Sequence, residues 1–120
     1  MGLDMYFISV PKGEDPEASN ARHTIKYFRK HSDLHGWLEE RWLESHPEKN
    51  GFDFNCVFMQ ITPEILEGIK KLCTSPELRE KYCGFFWGAS EEDDWAETFS
   101  MCLSPEMYDK QTDVYYYSWW

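Results

Sequence analysis

Three short apolar stretches constrain this chain more than anything else in it: residues 5–10 (MYFISV), 54–61 (FNCVFMQI) and 114–119 (VYYYSW). The first two are apolar on both faces and too short for a packed helix, which fits strands buried in a sheet. Pro11-Lys12-Gly13 stops the first, and the polar run 11–20 reads as a loop. Residues 24–30 are ambiguous, because Ile25 and Phe28 also fit a helical turn. The β-formers Thr24, Ile25, Tyr27 and Phe28 favour a strand.

Helix signals lie between these stretches. Ser32 is a good N-cap, and Leu34, Trp37, Leu38 and Trp42 follow along one face, with Glu39, Glu40 and Glu44 pointing away. Pro47 and Gly51 close that segment. Thr62-Pro63-Glu64 starts a second helix whose apolar face is Ile65, Leu66, Ile69, Leu72 and Cys73. Ser75-Pro76-Glu77 starts a short third one, ending at Gly84. Phe85-Phe86-Trp87 reads as a short strand or an ordered loop. Ser90 with Asp93 resembles a capping box, backed by Trp95, Phe99, Cys102 and Leu103. The expected fold is α+β in a single domain, residues 1–120. It has a mostly antiparallel sheet of about four to five strands, with about three to four helices packed on one face.

Composition decides which function classes stay open. Twenty-two acidic residues against twelve basic ones give a formal charge of −10, and the basic clusters, Arg29-Lys30-His31 and Lys70-Lys71, are small. Direct nucleic-acid binding needs clustered Lys and Arg and is disfavoured, as is an anionic membrane. No apolar run approaches the ~20 residues of a membrane span, and the opening residues have no signal-peptide pattern. The four cysteines form no Cys-x-x-Cys pair and fall on or beside apolar stripes. Reduced, mostly buried thiols in a cytoplasmic protein are therefore expected. Aromatics make up 18% of the chain, six of them Trp, more than a domain of this size hides easily. Some aromatic surface is expected to face a partner.

No catalytic signature stands out. His31, His35 and Glu39 recur every four residues, a spacing that would align three metal ligands on a continuous helix. Ser32 as N-cap puts His31 outside that helix, so no metal is expected. Glu91, Glu92, Asp93 and Asp94 form either the acidic first turn of a capped helix or an acidic patch facing a partner. Arg29-Lys30-His31 is either an anion-binding island or a source of ion pairs to nearby acids. Asp4, entering an apolar strand between Leu3 and Met5, needs a specific partner, either Arg29 or a backbone donor.

The segments MGLDMY, YFRKHSDLHGW, NCVFMQIT, GFFWG and YYYSWW, in that order, resemble a family of small proteins found in phage genomes and bacterial mobile elements. Some members carry a phosphoglycerate kinase label. Matching positions include Asp4, Tyr6, Arg29, Lys30, His35, Trp37, Trp87, Gly88, Ser118 and Trp119. The chain has neither a glycine-rich phosphate loop nor the length of a two-lobed kinase. The resemblance therefore implies a phage–host setting and assigns no catalytic residue.

Two functional expectations compete. One is a non-enzymatic, anti-CRISPR-like inhibitor that mimics nucleic acid and binds a basic host protein or ribonucleoprotein complex. Its interface would hold Glu39, Glu40, Glu44, Glu91, Glu92, Asp93, Asp94 and Trp87. The other is a pocket protein or enzyme for a nucleotide or other small anion. There Arg29 and Lys30 would hold charge, Tyr6, Trp37 or Trp87 would stack a base, and Asp4 or His35 would act as acid or base. Neither calls for a cofactor. A homodimer formed through the aromatic surface is a third possibility.

Overall fold

Strands β1 (Asp4–Pro11) and β4 (Thr112–Trp119) bring the two ends of the chain together at the centre of the sheet. In a computed structural model, which describes residues 2–82 and 90–120, they pair antiparallel from Asp4 opposite Trp119 to Pro11 opposite Thr112. Strand β2 (His23–Arg29) flanks β1, and the short β3 (Phe58–Gln60) flanks β4, giving the order β2-β1-β4-β3. Every neighbouring pair is antiparallel. The helices are α1 (Ser32–Ser45), α2 (Pro63–Thr74), α3 (Pro76–Glu80) and α4 (Glu92–Cys102). The fold is thus α+β, as the sequence pattern predicts. Among the described residues, no helix is long and apolar enough to cross a membrane.

The period of two sorts the strand residues. Met5, Phe7, Phe28, Met59, Val114 and Tyr116 face the helices and join Leu34, Leu38, Trp42, Ile69, Leu72 and Trp95 in one core. Trp37 packs against α2 at Gly68, where an added Cβ would fall 2.5 Å from its ring. Only glycine allows that approach.

Several local expectations are corrected. Residues 54–57 leave the sheet: Gly51–Phe54 is a 3-10 turn held by a reciprocal cap between Asn50 and Asp53. Cys56 then reverses the chain in a left-handed conformation, φ 63°, so the strand begins only at Phe58. Helix α1 has His31, not Ser32, at its N-cap, and α4 is capped by Glu91 exchanging bonds with Asp94 instead of by Ser90 with Asp93. The third helix, expected to run to Gly84, ends already at Glu80, with a turn at Lys81 and Tyr82, and the expectation for Phe85-Phe86-Trp87 lies outside the described residues.

Candidate functional site

On the face turned away from the helices, the strand register sets one ring from each strand side by side: Tyr27, Tyr6, Tyr117 and Phe58. Ring centroids are 5.1 Å apart for Tyr27 and Tyr6, 6.0 Å for Tyr6 and Tyr117, and 4.6 Å for the stacked pair Tyr117 and Phe58. Tyr27 is 44% exposed, and Trp119, opposite Asp4 on the same face, is 56% exposed. Tyr6, Tyr117 and Phe58 are partly buried, so the row leaves a partly open apolar strip with its most exposed rings at Tyr27 and Trp119.

The connection between β1 and β2 returns beside this row and makes a groove of about 510 Å³. Tyr6, Phe58, Tyr117 and Trp119 supply its rings, while Arg22 and Glu17 supply its charges. The Arg22 guanidinium lies 5.8 Å from the centre of the Phe58 ring, a cation–π contact. Cys56 also lines the groove. It is exposed, contrary to the expectation of a buried thiol, because the left-handed turn carries it out of the core. Burial, with a hydrogen bond to Cys56, raises the pKa of the Tyr117 hydroxyl.

Asp4 finds its partner on this face, but neither in Arg29 nor in the backbone. The Tyr27 hydroxyl donates to its carboxylate, which raises the Tyr27 pKa. Arg29, paired in register with Asp4, lies against Gly2, its guanidinium 3.3 Å from where a Cβ would stand. Nearby, burial and then the carboxylates of Asp113 and Asp15 raise the pKa of Tyr115. Carboxylates therefore border the rings as well as arginines.

His35 and Trp37, proposed from sequence as pocket residues, lie on the other side of the sheet in the core. His35 Nδ1 bonds the Tyr116 hydroxyl at 2.7 Å, and Nε2 stands 3.9 Å from the half-buried Glu39 carboxylate. Burial pushes its pKa down to about 3. The third member of the four-residue spacing points elsewhere. Thr98 donates to the Asp94 carbonyl, so it accepts from His31 Nε2–H at 2.8 Å. Nδ1 of His31 then accepts from Ser90 at 2.6 Å, and Ser90 in turn accepts the Asp33 N–H at the start of α1. Ser90 thus caps α1 instead of its own helix. Burial, then the charge of Arg79, drives His31 down to about 3. An imidazole held that far below neutral pH is a weak general base, so this serine–histidine pair works as a tie between α1 and α4. Among the described residues, no group of three or more His, Cys, Asp or Glu is placed to hold a metal ion.

The acidic candidates sit on the helix layer. Glu40 and Glu44 share Arg41, which also lies 5.0 Å from the Trp37 ring centre. Glu91 and Asp94 are engaged in the α4 cap, Glu92 is 3.6 Å from Arg79, and Asp93 is exposed. Ser90 ties this second group to the start of α1, whereas Glu39 to Glu44 lie roughly 9–16 Å further along that helix. Lys30 is exposed at φ 59°, in the junction between β2 and α1. Trp87 lies outside the described residues.

Of the pocket residues expected from sequence, the structure therefore gathers Asp4 and Tyr6 on one face, with Arg29 alongside. Tyr27, Phe58, Tyr117, Trp119, Arg22 and Cys56 were not singled out as site residues. For the four aromatic residues the missing signal was strand register, which a single sequence does not supply, while Arg22 and Cys56 reach the groove from a loop and a turn. Comparison with known proteins finds no matching family model, no matching curated protein and no matching solved structure.

Proposed function

We propose that this is a non-enzymatic interaction protein that captures an arginine-bearing segment of a basic partner on the aromatic face of its sheet. The observation that carries this reading is the row of four rings with Arg22 already in cation–π contact with Phe58. A guanidinium from the chain itself occupies the kind of site an incoming arginine would use, and Glu17, which lines the same groove, supplies a charge to offset it. The −10 net charge adds long-range attraction for a basic partner, and the exposed acids of α1 and α4 contribute to that steering. Inhibition of a nucleic-acid-binding or defence protein in a host cytoplasm, the setting implied by the phage resemblance, is the biological form this binding takes. The experiment is a fluorescence titration with a nine-residue arginine peptide and a lysine peptide of equal length. Stacking predicts that the arginine peptide binds several-fold tighter and keeps its advantage in 0.5 M salt, where exposed charge pairs are screened. Equal affinities, both lost in salt, would reduce the interaction to bulk charge and reject the reading.

A second reading, a nucleotide or similar small anion, is favoured by Arg22 standing beside stackable rings. Saturation by a nucleoside triphosphate in the same titration, with no response to the arginine peptide, would select it.

A further inference from the structure

We propose that the free edge of β3 takes up an extended acidic segment of a partner protein as a further strand of the sheet. Among the described residues, β3 is the last strand on its side and pairs with β4 alone. Ile61 continues the register of that pair and sends its N–H to the Val114 carbonyl at 2.8 Å. Alternate residues of an antiparallel strand bond the same neighbour, so Met59 faces β4 as Ile61 does. Phe58 and Gln60 therefore turn their N–H and C=O groups to the open side. No backbone hydrogen bond from the described residues meets them there.

This edge is undefended. At the opposite edge, β2 carries His23, Lys26 and Arg29, charges that discourage an added strand, whereas β3 is Phe58-Met59-Gln60, with neither charge nor proline. A groove of about 560 Å³ runs along it. Val57, Phe58, Met59 and Gln60 all line this groove. Consecutive strand residues alternate faces, so it follows the edge of the strand and not one face of the sheet. Trp42 of α1 and Ile65 of α2 give the groove apolar surface on the helix side.

Charge selects the occupant. Arg41, His46 and Lys49 line the groove and no Asp or Glu does, in a chain whose formal charge is −10. Arg41 is engaged by Glu40 and Glu44, and His46 donates from Nδ1 to the Trp42 carbonyl at 2.9 Å. Lys49 is exposed and makes no ion pair among the described residues. The groove thus favours carboxylates, against the sign of the molecule as a whole. An added strand is held by the Phe58 and Gln60 backbone, buries alternate apolar side chains against Trp42 and Ile65, and offers its acids to Lys49.

The test titrates the intact protein with a peptide alternating valine and glutamate, and with the same peptide N-methylated at alternate backbone amides. The unmodified peptide should bind and slow hydrogen exchange at the Phe58 and Gln60 amides. N-methylation keeps every charge but blocks strand pairing, and affinity should fall about tenfold or more. Gln60→Pro removes one outward N–H and none of the bonds to β4, so it should weaken binding similarly with the urea midpoint nearly unchanged. Lys49→Glu, at an exposed position outside the helices, should also lower affinity. No binding of the glutamate peptide, equal binding of its N-methylated form, or unaltered exchange at those two amides would overturn the proposal.

Discussion

Tyr116 and Tyr117 are chemically identical neighbours in opposite surroundings, and the two faces of the sheet differ as they do. Tyr116 is 0% exposed, its hydroxyl held by His35 and its ring against Phe7 and Phe54. Tyr117 lies between Tyr6 and Phe58 with a groove in front of it. One face buries its aromatic area fully in the core, and the other leaves part of it open beside a groove. A residue's contribution here follows from strand parity, not from its type.

Substitutions on the helix face should break that contrast most severely. Tyr116→Ala opens a core cavity and strands His35 Nδ1, so urea unfolding should show a loss of about 3–5 kcal/mol. Gly68→Ala drives a methyl group into the Trp37 ring and should cost about 1–3 kcal/mol by the same measurement. Ser90→Ala removes the acceptor for the Asp33 N–H and the donor to His31, and about 1–2 kcal/mol should be lost.

Acid should act on the same face. His31 and His35 titrate at about 3 in the folded protein, against about 6.5 when unfolded. Between those values the unfolded chain binds more protons than the folded one. Stability is therefore complete above roughly pH 6.5 and falls as the pH drops toward 3. Burial moves Asp33 and Glu39 upward, which favours the folded state in acid and opposes the histidines by a smaller amount. Denaturation midpoints measured from pH 7.5 to 4.5 should fall, and His35→Gln should flatten that slope.

The smallest effects on stability belong to the other face. Tyr117→Ala leaves the core intact and should cost under about 1 kcal/mol on unfolding.

Much of this architecture was legible in the chain. Pro11 and Gly13, the Thr62-Pro63 start and the stripe Leu34, Trp37, Leu38, Trp42 report local preferences, and the structure follows them. Residues 115–117 show where legibility ends. Three consecutive tyrosines have no hydropathy alternation, so nothing in them says which one faces inward. Phe54 looked like a strand residue because it is apolar, yet it reaches the core from a turn. Ser90 looked like the cap of the helix that follows it, whereas it caps α1, more than fifty positions earlier. These are long-range pairings, which local sequence does not encode.

The contrast between the faces is tested most directly with Tyr6→Ala/Tyr117→Ala, measuring arginine-peptide affinity and the urea midpoint on the same preparation. The predicted result is a fall in affinity of about tenfold or more with the midpoint nearly unchanged. Undiminished binding, or weakened binding that merely tracks a collapse of the midpoint, would contradict it.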